Sequence, residues 1–122
     1  MLILIAGPYR SGTNDHADLI EKNVRFMNEV ALEVYNSGNL PVLGEWFALP
    51  LIATAGSKSL GDEVFNRIFH PVAIQLIDFC DAVLRVGGES KGADEMVKVG
   101  VEKGKTIFYN LRDIPKIKNS KI

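Results

Sequence analysis

A chain of 122 residues, 47% apolar and 24% charged, is long enough for one domain with a single core and has the composition of a globular protein. Its formal net charge of -1 argues against a nucleic-acid polymer as partner, because gripping a phosphate backbone calls for a basic surface. Cys80 is the only cysteine, which excludes an intrachain disulfide and points to a reducing compartment. Met1 to Ala6 lacks the basic start of a signal peptide and no run reaches membrane length, so a cytoplasmic setting without a membrane partner is expected.

In chain order, Leu2 to Ala6 is a continuous apolar run, the pattern of a parallel strand buried on both faces. Gly7-Pro-Tyr-Arg-Ser-Gly-Thr13 breaks it as a loop, and Asn14 or Asp15 is placed to cap a helix. Ile20, Val24, Met27, Ala31 and Val34 then recur at helical spacing until Ser37-Gly38 stops the run. Leu40 to Leu43 is a short second strand, and Pro41 fits a central strand only at its start. Gly44 to Gly56 is apolar and predicts a short helix or irregular segment crossing the mouth of the sheet.

Ser57 to Asp62 is a polar loop, Glu63 to His70 a helical turn, and Pro71 fits the first turn of a further helix. That helix leads through Cys80, expected as a buried core thiol, into a third strand from Ala82 to Val86. A glycine-rich turn follows, then a helix from about Ala93 to Lys103 that buries Ala93, Val97, Gly100 and Val101. Gly104 ends it, Thr106 to Tyr109 is the last clear strand, and Lys116 to Ile122 is a basic, frayed tail. Neither an internal repeat nor a domain linker interrupts the series, so residues 1–122 read as a single domain. Strands alternating with helices predict an α/β fold: a parallel sheet covered on both faces, with the ligand crevice beyond the carboxyl ends of the first and third strands.

That topology would set Gly7 to Thr13 beside Gly87 to Glu95. Gly87-Gly-Glu-Ser-Lys-Gly92 offers backbone amides, a hydroxyl and a cation, the parts of a phosphate cradle; a plain strand-to-helix connection uses the same residues. It is neither a Walker loop nor a dinucleotide G-x-G-x-x-G fingerprint, so no cofactor is expected. Asp94 and Glu95 either act on a sugar or complement the helix dipole. Arg10, Ser11 and Gly12 can hold a phosphate or sugar hydroxyl, or form an exposed turn. Trp46, after Glu45, can stack on a base or serve the core. His16 and His70 lack neighbours for a metal site, so none is expected.

Ile5-Ala-Gly-Pro-Tyr-Arg10, Cys80-Asp-Ala-Val83, and Ser90-x-Gly92 followed by acids and Gly104-Lys105 together resemble the nucleoside 2-deoxyribosyltransferase-like superfamily. The resemblance spans Leu2 to Tyr109 and implies a Rossmann/flavodoxin-like three-layer sandwich with four to five parallel strands. It implies a homodimer or larger assembly that cleaves the N-glycosidic bond of a nucleoside or nucleoside 5′-monophosphate, passing the sugar to water or to another base. A carboxylate at the start of the last long helix attacks the anomeric carbon. By resemblance Glu95 is that nucleophile with Asp94 beside it, Gly7, Tyr9, Arg10, Ser11 and Gly12 line the sugar or phosphate side, and Ser90 and Gly92 bind phosphate.

The chain departs from the pattern at two places. The position four after the glycine of Ser-x-Gly is Met96, with Glu95 one step earlier, and one helical step turns a side chain by about 100°. The position eight before Asp81, an aspartate in many relatives, is Ala73. Glu45, Glu89 and Asp94 are the candidates to replace its carboxylate. Two other functions compete: a non-catalytic nucleotide-binding or sensing domain, suggested by Met96 and Ala73, and a phosphoribohydrolase of the lysine-decarboxylase-like family.

Overall fold

The computed structural model describes residues 1–117; Lys118 and Lys121 of the expected tail lie outside them. The elements run β1 (Leu2–Ala6), α1 (Ala17–Asn36), β2 (Leu40–Val42), α2 (Gly44–Thr54), α3 (Glu63–Ile77), β3 (Ala82–Arg85), α4 (Lys91–Glu102) and β4 (Thr106–Phe108), then a 3-10 turn at Leu111–Asp113. All strands pair in parallel in the order β2-β1-β3-β4, as the alternation of elements predicts. The order reverses between β1 and β3, where Leu4 registers with Val83 and Ala6 with Arg85.

The two-residue period of β1 sorts the core. Ile3 and Ile5 face Met27, Val30, Ala31 and Val34 of α1, and Ile114 closes the same layer. Leu4 and Ala6 face the opposite layer, Ile77 of α3 and Ala93 of α4. Each fully buried aliphatic side chain contributes about 1.5–3 kcal/mol, so these two layers hold the sheet. A third cluster, Ala48, Ile52 and Phe65, joins α2 to α3. Cys80 is a buried free thiol in the Leu4 layer, and burial pushes its pKa up.

Several expected boundaries move, each for a local reason. Asn14 and Asp15 do not cap α1; both adopt positive φ in the preceding turn, so His16 becomes the N-cap. The segment from Glu63 is one continuous helix, not a turn and a new helix. Pro71 sits inside it, because burial of Phe65, Ala73 and Ile77 along one side outweighs the single backbone donor that proline removes. Asp62 starts this helix by accepting from Phe65 N at 2.8 Å; that bond and the one from Lys58 N pull its carboxyl down to about 2. α4 begins at Lys91 because Ser90 caps it, and its Val101 is 60% exposed, not buried. Pro41 is tolerated because β2 is an edge strand. Among the described residues no helix is long and apolar enough to cross a membrane.

Candidate functional site

Two loops leave the carboxyl ends of β1 and β3, and they touch. A Cβ on Gly87, which has φ +80°, would lie 2.6 Å from Cδ of Pro8. A Cβ on Gly7 would lie 3.0 Å from the Val86 carbonyl oxygen and 2.5 Å from Sδ of Met27. Only glycine at both positions lets the corners close on each other. Beyond them a cavity of about 350 Å3 opens at the reversal of strand order, the usual ligand crevice of an open parallel sheet.

The first corner is held rigidly. Thr13 Oγ1, buried, donates to the Arg10 carbonyl at 2.6 Å, and Asn23 Nδ2 donates to the Tyr9 carbonyl at 2.9 Å. Arg10 donates to Asp15 through Nε at 2.8 Å and Nη2 at 2.9 Å, and its guanidinium lies 5.4 Å from the centroid of the Phe65 ring. The pair shifts both groups toward their charged forms: Arg10 upward and Asp15 downward, each chiefly by the shared hydrogen bond.

At the second corner Arg85 acts as a staple. It donates to the Val86 carbonyl, to the Gly88 carbonyl at 2.8 Å and to Asp94 at 3.0 Å. Ser90 Oγ accepts from Ala93 N at 3.2 Å, so its hydroxyl serves the helix as well as facing the cavity. Gly92 follows in the first turn of α4, its missing Cβ leaving His70 Nδ1 3.7 Å from that point. Glu95 Oε1 lies 3.6 Å from His70 Nε2, too far for a hydrogen bond. That nitrogen is shielded from solvent and has no hydrogen-bond partner among the described residues.

Glu45, in the first turn of α2, is 8% exposed and accepts no hydrogen bond among the described residues while lining the cavity. Burial pushes its carboxyl up to about 7. Tyr9 lines the same space, its phenol pushed up by burial and by the Glu45 charge, with Arg10 opposing. α2 comes this close because Gly44 lies against Ala73: a Cβ on Gly44 would sit 2.8 Å from the Ala73 Cβ. Of the three carboxylates weighed against the alanine at position 73, Glu89 is exposed and Asp94 pairs with Arg85, whereas Glu45 lines the cavity.

The cavity thus gathers Gly7, Tyr9, Arg10, Ser11, Glu45, Ser90, Gly92 and Glu95. Three other candidates lie apart from its lining. Gly12 is exposed at φ +75° with open space around it. Trp46 is 44% exposed and donates from Nε1 to Asn28 at 3.1 Å. Asp94 faces Arg85.

Residue reading from sequence weighed His70 only as a metal ligand and Ala73 only as a departure from the family pattern, and missed Phe65, Asn66 and Phe69, which project with them into the α3 side of the cavity at three- and four-residue spacing. The signal was present as a polar pair, Asn66 and His70, in an apolar helical stripe. Splitting the helix at Pro71 conceals it. Comparison with protein-family models returns no match, and none of the curated proteins searched matches the chain.

Proposed function

We propose that this cavity binds a nucleoside 5′-monophosphate or nucleoside and cleaves its N-glycosidic bond with a carboxylate nucleophile. The observation that carries the reading is the convergence of two separately encoded glycine corners on one crevice that holds both Glu45 and Glu95. The start of α4 supplies what a phosphate needs: the positive end of a helix, the Ser90 hydroxyl and Lys91. Arg10 adds a cation fixed by Asp15 on the other rim.

As the base departs, positive charge grows at the anomeric carbon. Glu95, 59% exposed at its side chain and adjacent to His70, is the carboxylate in this reading that captures it. His70 lies beside Glu95 from α3, with Nε2 3.6 Å from Oε1. Water or a second base then releases the sugar. A cavity of about 350 Å3 lies in the range of small-molecule sites, which supports a ligand of this class.

The test is incubation of the protein with a panel of ribo- and deoxyribonucleosides and their 5′-monophosphates, followed by chromatography for free base. Release is expected from at least one member, with Glu95→Gln lowering it at least about a hundredfold while the circular dichroism spectrum and melting temperature stay near wild type. No release from any member, together with thermal stabilisation by a nucleotide, would instead support a binding domain without turnover.

A further inference from the structure

Two carboxylates share the cavity, and their surroundings differ. Glu95 is more than half exposed beside His70, whereas Glu45 is 8% exposed, lines the cavity and accepts no hydrogen bond among the described residues. Burial of most of the Glu45 side chain penalises the charged form, so the carboxyl holds its proton to a higher pH than a solvated one does. A carboxylic acid on a cavity wall, with no acceptor among the described residues, is placed to give its proton to a group that occupies the cavity. We propose that Glu45 is the proton donor to the departing base, a catalytic role distinct from that of the nucleophile and resting on the N-glycosidic reading above.

The step balances as follows. The C1′–N bond breaks and its electron pair passes to the base nitrogen, while a Glu95 oxygen forms the new bond to C1′. The Glu45 O–H gives its proton to the base, so the base leaves neutral and Glu45 is left ionised. In the second half a water oxygen attacks C1′, the bond to Glu95 breaks with its electron pair returning to that carboxylate, and the water's proton goes to Glu45. Both carboxylates are then as they began. The division of labour matches the surroundings: the enclosed acid sits near its midpoint at neutral pH, where one group can give a proton and take it back.

Burial alone raises Glu45, and the other titratable and charged groups of the cavity come from every wall. Tyr9 and Arg10 line it from the β1 corner, His70 from α3, and Lys91 and Glu95 from α4, while α1 contributes Met27. Activity should therefore decline as pH rises through about 7, as Glu45 loses the proton it must donate. Histidine is a second residue type that titrates in this range, so the decline needs assignment by variant.

The experiment compares wild type, Glu45→Gln and His70→Asn on two substrates. One is the panel member with fastest base release; the other is 4-nitrophenyl ribofuranoside 5-phosphate, whose leaving group departs without a proton. Glu45→Gln is expected to lose about 100-fold or more in kcat/KM on the nucleotide and less than about tenfold on the activated substrate. Its alkaline decline should vanish on the nucleotide, whereas His70→Asn should keep it. Equal losses on both substrates, or an alkaline decline that persists in Glu45→Gln, would overturn the assignment while leaving N-glycosidic cleavage intact. Absence of release by wild type from every substrate would overturn the reading beneath it, a separate outcome visible before any variant is made.

Discussion

The two ends of the sheet treat polar groups in opposite ways. At the amino end the Met1 ammonium donates to Asn39 Oδ1 at 2.9 Å, Leu2 N donates to Asp81 at 2.7 Å, and Lys103 pairs with Asp78. Asn39, 3% exposed, also donates to Ser37 Oγ and to the Pro115 carbonyl, each at 3.0 Å. At the carboxyl end Glu45, 8% exposed on the cavity wall, and His70 Nε2 make no hydrogen bond among the described residues. Burial costs a polar group similar free energy at either end. At the crevice Arg10, Thr13, Arg85 and Ser90 are paired, so the difference between the ends rests on Glu45 and His70 alone.

The contrast is sharpest in its dependence on pH. Glu45 ordinarily titrates at 4.5 and is raised to about 7 in the folded protein. Between those values the folded state keeps a proton that the unfolded chain has released, so stability falls as pH rises from about 4.5 to about 7. The full drop is about 3 kcal/mol. Glu45→Gln should remove this component, seen as a smaller loss of urea-unfolding free energy between pH 4.5 and pH 7.5 than in wild type. An identical slope in the two proteins would mean that the carboxyl is solvated and the two ends are alike.

The amino end should respond without dependence on pH. Asn39→Ala strips partners from three groups at once and should cost about 2 kcal/mol at every pH in that range, read by the same unfolding curves. A cost below about 0.5 kcal/mol would show that this network contributes little and that water replaces it. Ser90→Ala should give the smallest change, about 1 kcal/mol from loss of the bond to Ala93 N, because the residue caps α4. If Ser90→Ala instead leaves stability untouched, the hydroxyl is not spent on the helix.

Much of this end was visible in the residues themselves. Leu2 to Ala6 reads as a doubly covered strand because every position is apolar, and Ile3 and Leu4 do fall on opposite layers. The glycines at 7 and 87 read as loop positions, and the structure shows why no larger residue fits there. What local patterns misjudged was helix α3, since Pro71 signals a start in isolation while apolar burial carries the helix through it. That error hid His70 and Asn66 on the cavity side.

By itself the sequence determined the alternation of strands and helices, the two glycine corners and the supply of carboxylates near them, because periodicity and turn chemistry act over a few residues. Tertiary structure alone decided which carboxylates share a cavity. Asp94 lies next to Glu95 in the chain yet turns to Arg85, while Glu45, fifty positions earlier, is carried to the same crevice by the contact of Gly44 with Ala73. The physical reason is that a carboxylate's charge and reach depend on burial and neighbours, and those are properties of packing between elements distant in sequence.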